Sequence, residues 1–173
     1  MKIIGKKVYL SKFKNNHLSK EYIGWLNNKT ITKFSSQRFI NHTQKTCKIY
    51  MDSFKKSNNL FCAINTISDD KFIGTITAYI SEKNKTADIG IMIGEISFWN
   101  TGVGSDAWAT FCNYLFKKKR IRKITAGTIR PNKGMLSIIK KYKMTPDGIR
   151  KKQIYYNKSY EDALLFCKFS NLK

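Results

Sequence analysis

Apolar positions along the chain repeat with two periods, and the changes between them divide it into elements. Near-alternating or short continuous apolar runs at Lys6 to Leu10, Leu60 to Asn65, Phe72 to Ile80, Ala87 to Ile93, Lys123 to Ile129 and Ala163 to Phe169 predict strands. Helical stripes fall between them. Leu18, Tyr22, Ile23, Trp25 and Leu26 mark a first helix closed by Asn27, and Ile49, Tyr50 and Phe54 mark a second that begins at Thr43. Ala107, Trp108, Phe111, Cys112 and Leu115 share a face of a third, and Lys133 to Tyr142 reads as a fourth. Between the first two helices, residues 29–42 are polar with isolated aromatics and carry Arg38. Polar turns at Asp69-Asp70 and at Ser81 to Lys85 join consecutive strands, so the first half is an antiparallel meander. From Ala87 onward, strand and helix alternate twice, which predicts one parallel pair. The expected architecture is α+β in three layers: a mixed, mostly antiparallel sheet of six to seven strands with helices on both faces, one domain spanning 1–173.

The stretch from Asp88 to Phe116 organises the rest. An apolar strand ends at Gly94, and Trp99-Asn100-Thr101-Gly102-Val103-Gly104-Ser105 opens the third helix. Two glycines let a ligand approach the backbone, and the first amides of a helix lack internal partners, so this turn is suited to phosphate. Three phosphate-bearing ligands compete for it. A nucleotide-triphosphate loop needs Lys and then Ser or Thr after its second glycine, whereas Ser105 and Asp106 follow Gly104. The dinucleotide frame G-x-G-x-x-A is met by Gly102 to Ala107, but its ribose-binding acid is missing, since no Asp or Glu occurs between Asp106 and Asp147. Coenzyme A is the third.

On those residues the chain resembles the GCN5-related N-acetyltransferases (GNAT), whose signature is Gln or Arg, two variable residues, Gly, a variable residue, and Gly or Ala. Trp99 stands in the first position, as it does in the branch that acetylates ribosomal-protein N-termini and amino sugars. The resemblance implies a GNAT fold with a splayed parallel strand pair and acetyl-coenzyme A as donor. It places Ile91, Met92 and Ile93 on the pantetheine arm, and Trp99, Asn100, Thr101, Gly102, Val103, Gly104 and Ser105 at the pyrophosphate. Asn132 with the following Gly134 to Met144 resembles the second cofactor segment, in which Lys143 replaces the usual glycine. YIGWLNN and the stretch from Ile154 to Asp162 are similar to the first helix and closing hairpin of the same branch. The region around Arg38 covers the acceptor in that family, and it also reads as a plain surface loop.

Acyl transfer to an amine needs a base, a polarised thioester and a proton for the leaving thiolate. With only 11 acidic residues, the search for a base is short. Asp88 matches the position of the catalytic acid carried by several family members and would act through a water. Its other reading is a turn or salt-bridge carboxylate. Glu95, just past the strand, suits a cationic acceptor or could itself accept the proton. Tyr142 stands about one turn from the family's phenolic acid, and equally suits a core aromatic. The amine can also lose its proton to water and be positioned by binding alone.

Charge narrows the partners. With 33 basic residues the formal net charge is +22, a field that draws polyanions such as coenzyme A, nucleotide-sugars or nucleic acid. A lysine-rich solvated surface explains the same number. The expected acceptor is a small primary amine, best an amino sugar carried on a nucleotide; a ribosomal-protein N-terminus is the alternative. A basic nucleic-acid-binding protein on a transferase-like scaffold is the reading from another class, with only nonspecific contact expected. Cys47, Cys62, Cys112 and Cys167 lack paired spacing, and His17 and His42 are the only imidazoles, so reduced core thiols and no metal are expected. No run approaches the ~20 apolar residues of a membrane span. A cytoplasmic monomer or homodimer is expected.

Overall fold

The computed structural model describes residues 1–171. One sheet contains β1 (Lys2–Ile4), β2 (Val8–Lys12), β3 (Leu60–Thr66), β4 (Phe72–Ser81), β5 (Thr86–Ile93), β6 (Lys123–Thr128), β7 (Thr145–Tyr156) and β8 (Ser159–Phe169), in the spatial order β1-β2-β3-β4-β5-β6-β8-β7. Helices α1 (Lys20–Asn27), α2 (Lys29–Thr32), α3 (Gln44–Ser53), α4 (Val103–Lys119) and α5 (Lys133–Lys141) complete it. Among the described residues, eight strands replace the six to seven expected. The additional ones lie at or beside the sheet edges, where apolar alternation fails. β1 has only three residues, and β7 is exposed over nearly its whole length, so Arg150, Lys151 and Lys152 occupy it without burying charge.

Period-two alternation sends side chains of each central strand to two cores. On β3, Cys62 and Ile64 join Trp108, Phe111 and Leu115 of α4, whereas Phe61 and Ala63 join Tyr22, Trp25, Cys47 and Met51 of α1 and α3. Helices therefore cover both faces. α3 starts where the sequence places it: the Thr43 hydroxyl accepts from the Thr46 amide and Thr46 returns the bond, closing a capping box. All four cysteines are buried, unpaired thiols. Among the described residues, no helix is long and apolar enough to cross a membrane.

The sheet opens at one place. β4 accompanies β5 along its whole length, from Ser81 opposite Thr86 to Gly74 opposite Ile93. β5 and β6 run parallel but pair only at Thr86 with Lys123, Ala87 with Ile124 and Asp88 with Thr125. Beyond Asp88 they part, while β8 holds β6 as far as Thr128. The result is a V with its vertex at Asp88 and its mouth beside the first turns of α4 and α5.

Candidate active site

Main-chain direction decides which groups face the V. A Cβ built on Gly74 of β4 would lie 2.2 Å from the Met92 carbonyl, and the Gly94 amide donates to the Ile73 carbonyl at 2.9 Å, so residues 92 and 94 address β4. Alternation turns the polar groups of Ile91 and Ile93 toward the gap. Met92 therefore offers the gap no main-chain group, and its side chain packs in the α1/α3 core, which corrects the expectation that it lies on the arm. Trp99 folds back, its indole Nε1 donating to the Ile93 carbonyl at 2.9 Å.

The turn into α4 is tight. Asn100 (φ 63°) and Gly102 (φ 89°) are both left-handed, and no side chain caps the helix at Gly102. The first helical hydrogen bond runs from the Asp106 amide to the Gly102 carbonyl, leaving the amides of Val103, Gly104 and Ser105 without intrahelical acceptors. Uncapped amides at the positive end of a 17-residue helix fit a diphosphate. The Val103 side chain is buried, so only its main chain is available. A Cβ on Gly104 would meet Ile138 of α5 at 3.4 Å and Ile93 at 3.6 Å, which is ordinary van der Waals contact, so helix packing by itself does not demand a glycine there. Asn132 caps α5, its Oδ1 accepting from the Met135 amide at 3.2 Å. The Thr101 hydroxyl donates to the Phe98 carbonyl.

Asp88 stands at the vertex, exposed, and accepts from the Thr125 hydroxyl at 2.7 Å. Its parity puts it on the face opposite α4, together with Thr77, Tyr79, Gly90, Thr125 and Gly127. These residues floor a shallow trough that no helix covers among the described residues. Tyr50 of α3 bounds it on one side, hydroxyl to hydroxyl with Tyr79 at 2.7 Å. Leu165 bounds it on the other, with its Cδ2 3.4 Å from a Cβ built on Gly127. From Asp88 to Ile93 is five residues, about 16 Å of strand.

Glu95 is not with Asp88. It lies at the mouth, 2.9 Å from the Lys71 ammonium, and also accepts from the Ser97 hydroxyl. Lys71 and then Ser97 hold its carboxyl below the ordinary range, which makes it a poor proton acceptor at neutral pH. Tyr142 is not at the V at all. Its hydroxyl donates to Asn113, some ten residues or about 15 Å up α4 from Val103, and the Lys168 ammonium sits over its ring. Burial first, then Cys112, pushes its phenol up. The structure thus corrects the expectation that it serves the thioester: it packs the far ends of α4 and α5 together.

Residues 28–42 form a strap. The Asn27 side chain bonds both the amide and the carbonyl of His42 at 2.8 Å, closing the base, and the tip docks on the β7–β8 hairpin. There Arg38 donates to the Tyr155 carbonyl, and the rings of Phe34 and Tyr156 lie 5.4 Å apart. The hairpin overshoots Leu164, the partner of Thr128, by five residues or about 17 Å, so strap and hairpin meet beyond the mouth of the V. The short helix α2 and a 3-10 turn over Ser36–Phe39 were not legible in this polar segment.

Two further residues escaped the sequence reading. The Asp106 carboxylate accepts from the amides of Lys6, Lys7 and Val8, and the Lys7 ammonium donates to the Thr101 carbonyl. Both contacts join residues more than ninety positions apart. Among the described residues, no group of three or more His, Cys, Asp or Glu side chains is placed to hold a metal ion.

Residues 7–145 match the family described as the acetyltransferase (GNAT) domain. A probable N-acetyltransferase, YjcK, of Bacillus subtilis (strain 168) is 27% identical over 115 residues, covering 65% of this chain and 63% of that protein, somewhat under two thirds of the relative's length. The fold superposes on the Salmonella typhimurium acetyltransferase that modifies the N-terminal serine of ribosomal protein L7/L12 (TM-score 0.83, 16% identity, 99% and 100% of the two chains). It also superposes on spermidine N-acetyltransferase from Vibrio cholerae, solved with coenzyme A and spermine (TM-score 0.84, 14% identity, 95% and 96%).

Proposed function

The chain belongs to the acetyltransferase (GNAT) family, and on that premise we propose that it moves an acetyl group from acetyl-coenzyme A to the primary amine of an amino sugar carried on a nucleotide. The observation that carries the donor half is the V itself, which runs from Asp88 to the uncapped amides of α4. A diphosphate on Val103, Gly104 and Ser105 sets the pantetheine arm along the main-chain groups of Ile91 and the amide of Ile93, whose carbonyl is taken by Trp99, directing the thioester toward the vertex. Trp99 shapes this edge from behind, Asn100, Thr101 and Gly102 hold the turn, and Asn132 starts the facing helix.

When bound, acetyl-coenzyme A supplies an activated acyl carbon. Asp88 takes a proton from the acceptor ammonium through a water, the neutral nitrogen bonds to the acyl carbon, and the carbon–sulfur bond breaks. The leaving thiolate takes its proton from water, because Tyr142 is engaged at the far end of α4. Glu95, neutralised by Lys71, helps to seat the acceptor without acting as base.

Charge supports the acceptor class. Asp147 is paired with Lys123 and Asp162 with Lys151, as Glu95 is with Lys71, so these three carboxylates are already neutralised by lysines. A polyamine carries several cations and meets few free carboxylates here. One amine on an anionic carrier matches both Asp88 and the net charge of +22. Trp108, Phe111 and Phe61 are buried, which argues against a stacking platform for single-stranded nucleic acid.

Steady-state turnover on nucleotide-linked amino sugars, short N-terminal peptides and spermidine tests the reading. The sugar is expected to give the highest kcat/KM. Preference for a peptide would move the acceptor to the ribosomal-protein class, and preference for spermidine would refute the charge argument.

A further inference from the structure

The loop from Gly94 to Ser105 contains no lysine or arginine, and the position where the family carries Gln or Arg holds Trp99, whose one donor is committed to the Ile93 carbonyl. A doubly charged diphosphate would then meet only amides. A cation nevertheless reaches this place from the opposite end of the chain. In the turn between β1 and β2, the amides of Lys6, Lys7 and Val8 converge on the Asp106 carboxylate at 2.9, 2.7 and 3.1 Å. Successive amides around one anion form a rigid nest. Asp106 lies in the first turn of α4, where its charge also suits the helix dipole. The clamp fixes the Lys7 backbone relative to the α4 N-terminus.

The side chain continues the geometry. The Lys7 ammonium donates to the Thr101 carbonyl at 2.7 Å and lies 3.6 Å from a Cβ built on Gly102, so it stands beside the uncapped amides. An ammonium has three N–H donors, and Thr101 takes one. We infer that Lys7 binds the diphosphate of the acetyl donor, supplying from the N-terminal hairpin the charge that the glycine loop lacks, and that Asp106 positions it. The inference rests on the donor being a coenzyme A thioester. It adds a ligand-binding residue outside the glycine motif.

Lys7 is exposed, so Lys7→Met should fold, and Lys7→Gln provides a second neutral variant. Calorimetric titration with coenzyme A, 3′-dephospho-coenzyme A and pantetheine reads the contact. Loss of one charge-assisted hydrogen bond should weaken both coenzyme A forms by roughly tenfold or more. Pantetheine, which lacks the diphosphate, should bind variant and parent alike, and Lys7→Arg should recover most of the loss. The salt dependence of coenzyme A binding should also flatten in Lys7→Met. Unchanged coenzyme A affinity overturns the inference. Equal loss for pantetheine overturns it in favour of a loop-shaping role, and a loss confined to the 3′-phosphorylated form assigns Lys7 to that phosphate instead. If the unaltered protein binds no coenzyme A at all, the donor assignment falls and this inference with it.

Discussion

Replacing Lys143 by glycine should stabilise the protein. α5 ends in a Schellman turn: the Lys143 amide bonds to the Lys140 carbonyl at 3.0 Å and the Met144 amide to the Ile139 carbonyl at 3.1 Å, with Ile139 and Met144 both buried. The turn requires a left-handed residue, and Lys143 adopts φ 55°. A side chain in that conformation costs about 1–2 kcal/mol. Glycine removes this strain but is freer in the unfolded chain, which returns about 0.5–1 kcal/mol. The net gain is about 0.5–1 kcal/mol, or roughly 1–4 °C in Tm for a domain of this size. Lys143 is exposed, so little packing is lost with its side chain. Thermal melts followed by circular dichroism measure the shift, with Lys143→Ala as the control that keeps the Cβ and should melt with the parent. A glycine variant that melts at or below the parent, or an alanine variant that gains as much, refutes the argument.

Gly94→Ala should be costly, because its Cβ would fall 2.0 Å from the Trp25 ring; a loss of about 2–3 kcal/mol is expected, read by denaturant titration of tryptophan fluorescence. Gly90→Leu projects into the trough beside Asp88 and should raise acceptor KM at least about tenfold while coenzyme A affinity, by calorimetry, stays within about twofold. Asp88→Asn should lower kcat by roughly 100-fold near neutral pH, with partial recovery as alkaline pH deprotonates the amine; a pH-rate profile checks both. For Glu95, the folded carboxyl lies below its unfolded value, so its pairing with Lys71 stabilises above that unfolded value and fades as pH falls through the folded one. The stability difference between parent and Glu95→Gln should therefore be small at pH 7 and close in acid, as urea titrations across that range would show.

Much of the architecture was legible because burial imposes period on sequence. Phe61 to Ile64 alternate between two cores, and α4 presents Ala107, Trp108, Phe111 and Leu115 as one stripe. The glycine turn was legible because Gly102 is held at a left-handed φ that few other residues accept. β7 was not, since an uncovered edge strand leaves no apolar alternation. Met92 was misassigned because a motif gives position along the chain but not the direction in which a group points. Tyr142 followed spacing on α5, whereas its location is set by Asn113 and Lys168 on other elements. The link between Asp106 and residues 6–8 spans about a hundred positions and leaves no local pattern.

Backbone amide shifts during a coenzyme A titration test the central claim most directly, because the V and the α4 turn are both main-chain sites. The largest changes should fall on the amides of Ile91, Ile93, Val103, Gly104 and Ser105, with Tyr142 little affected. Binding that leaves those five amides unmoved, or that centres on the far end of α4, would contradict the account.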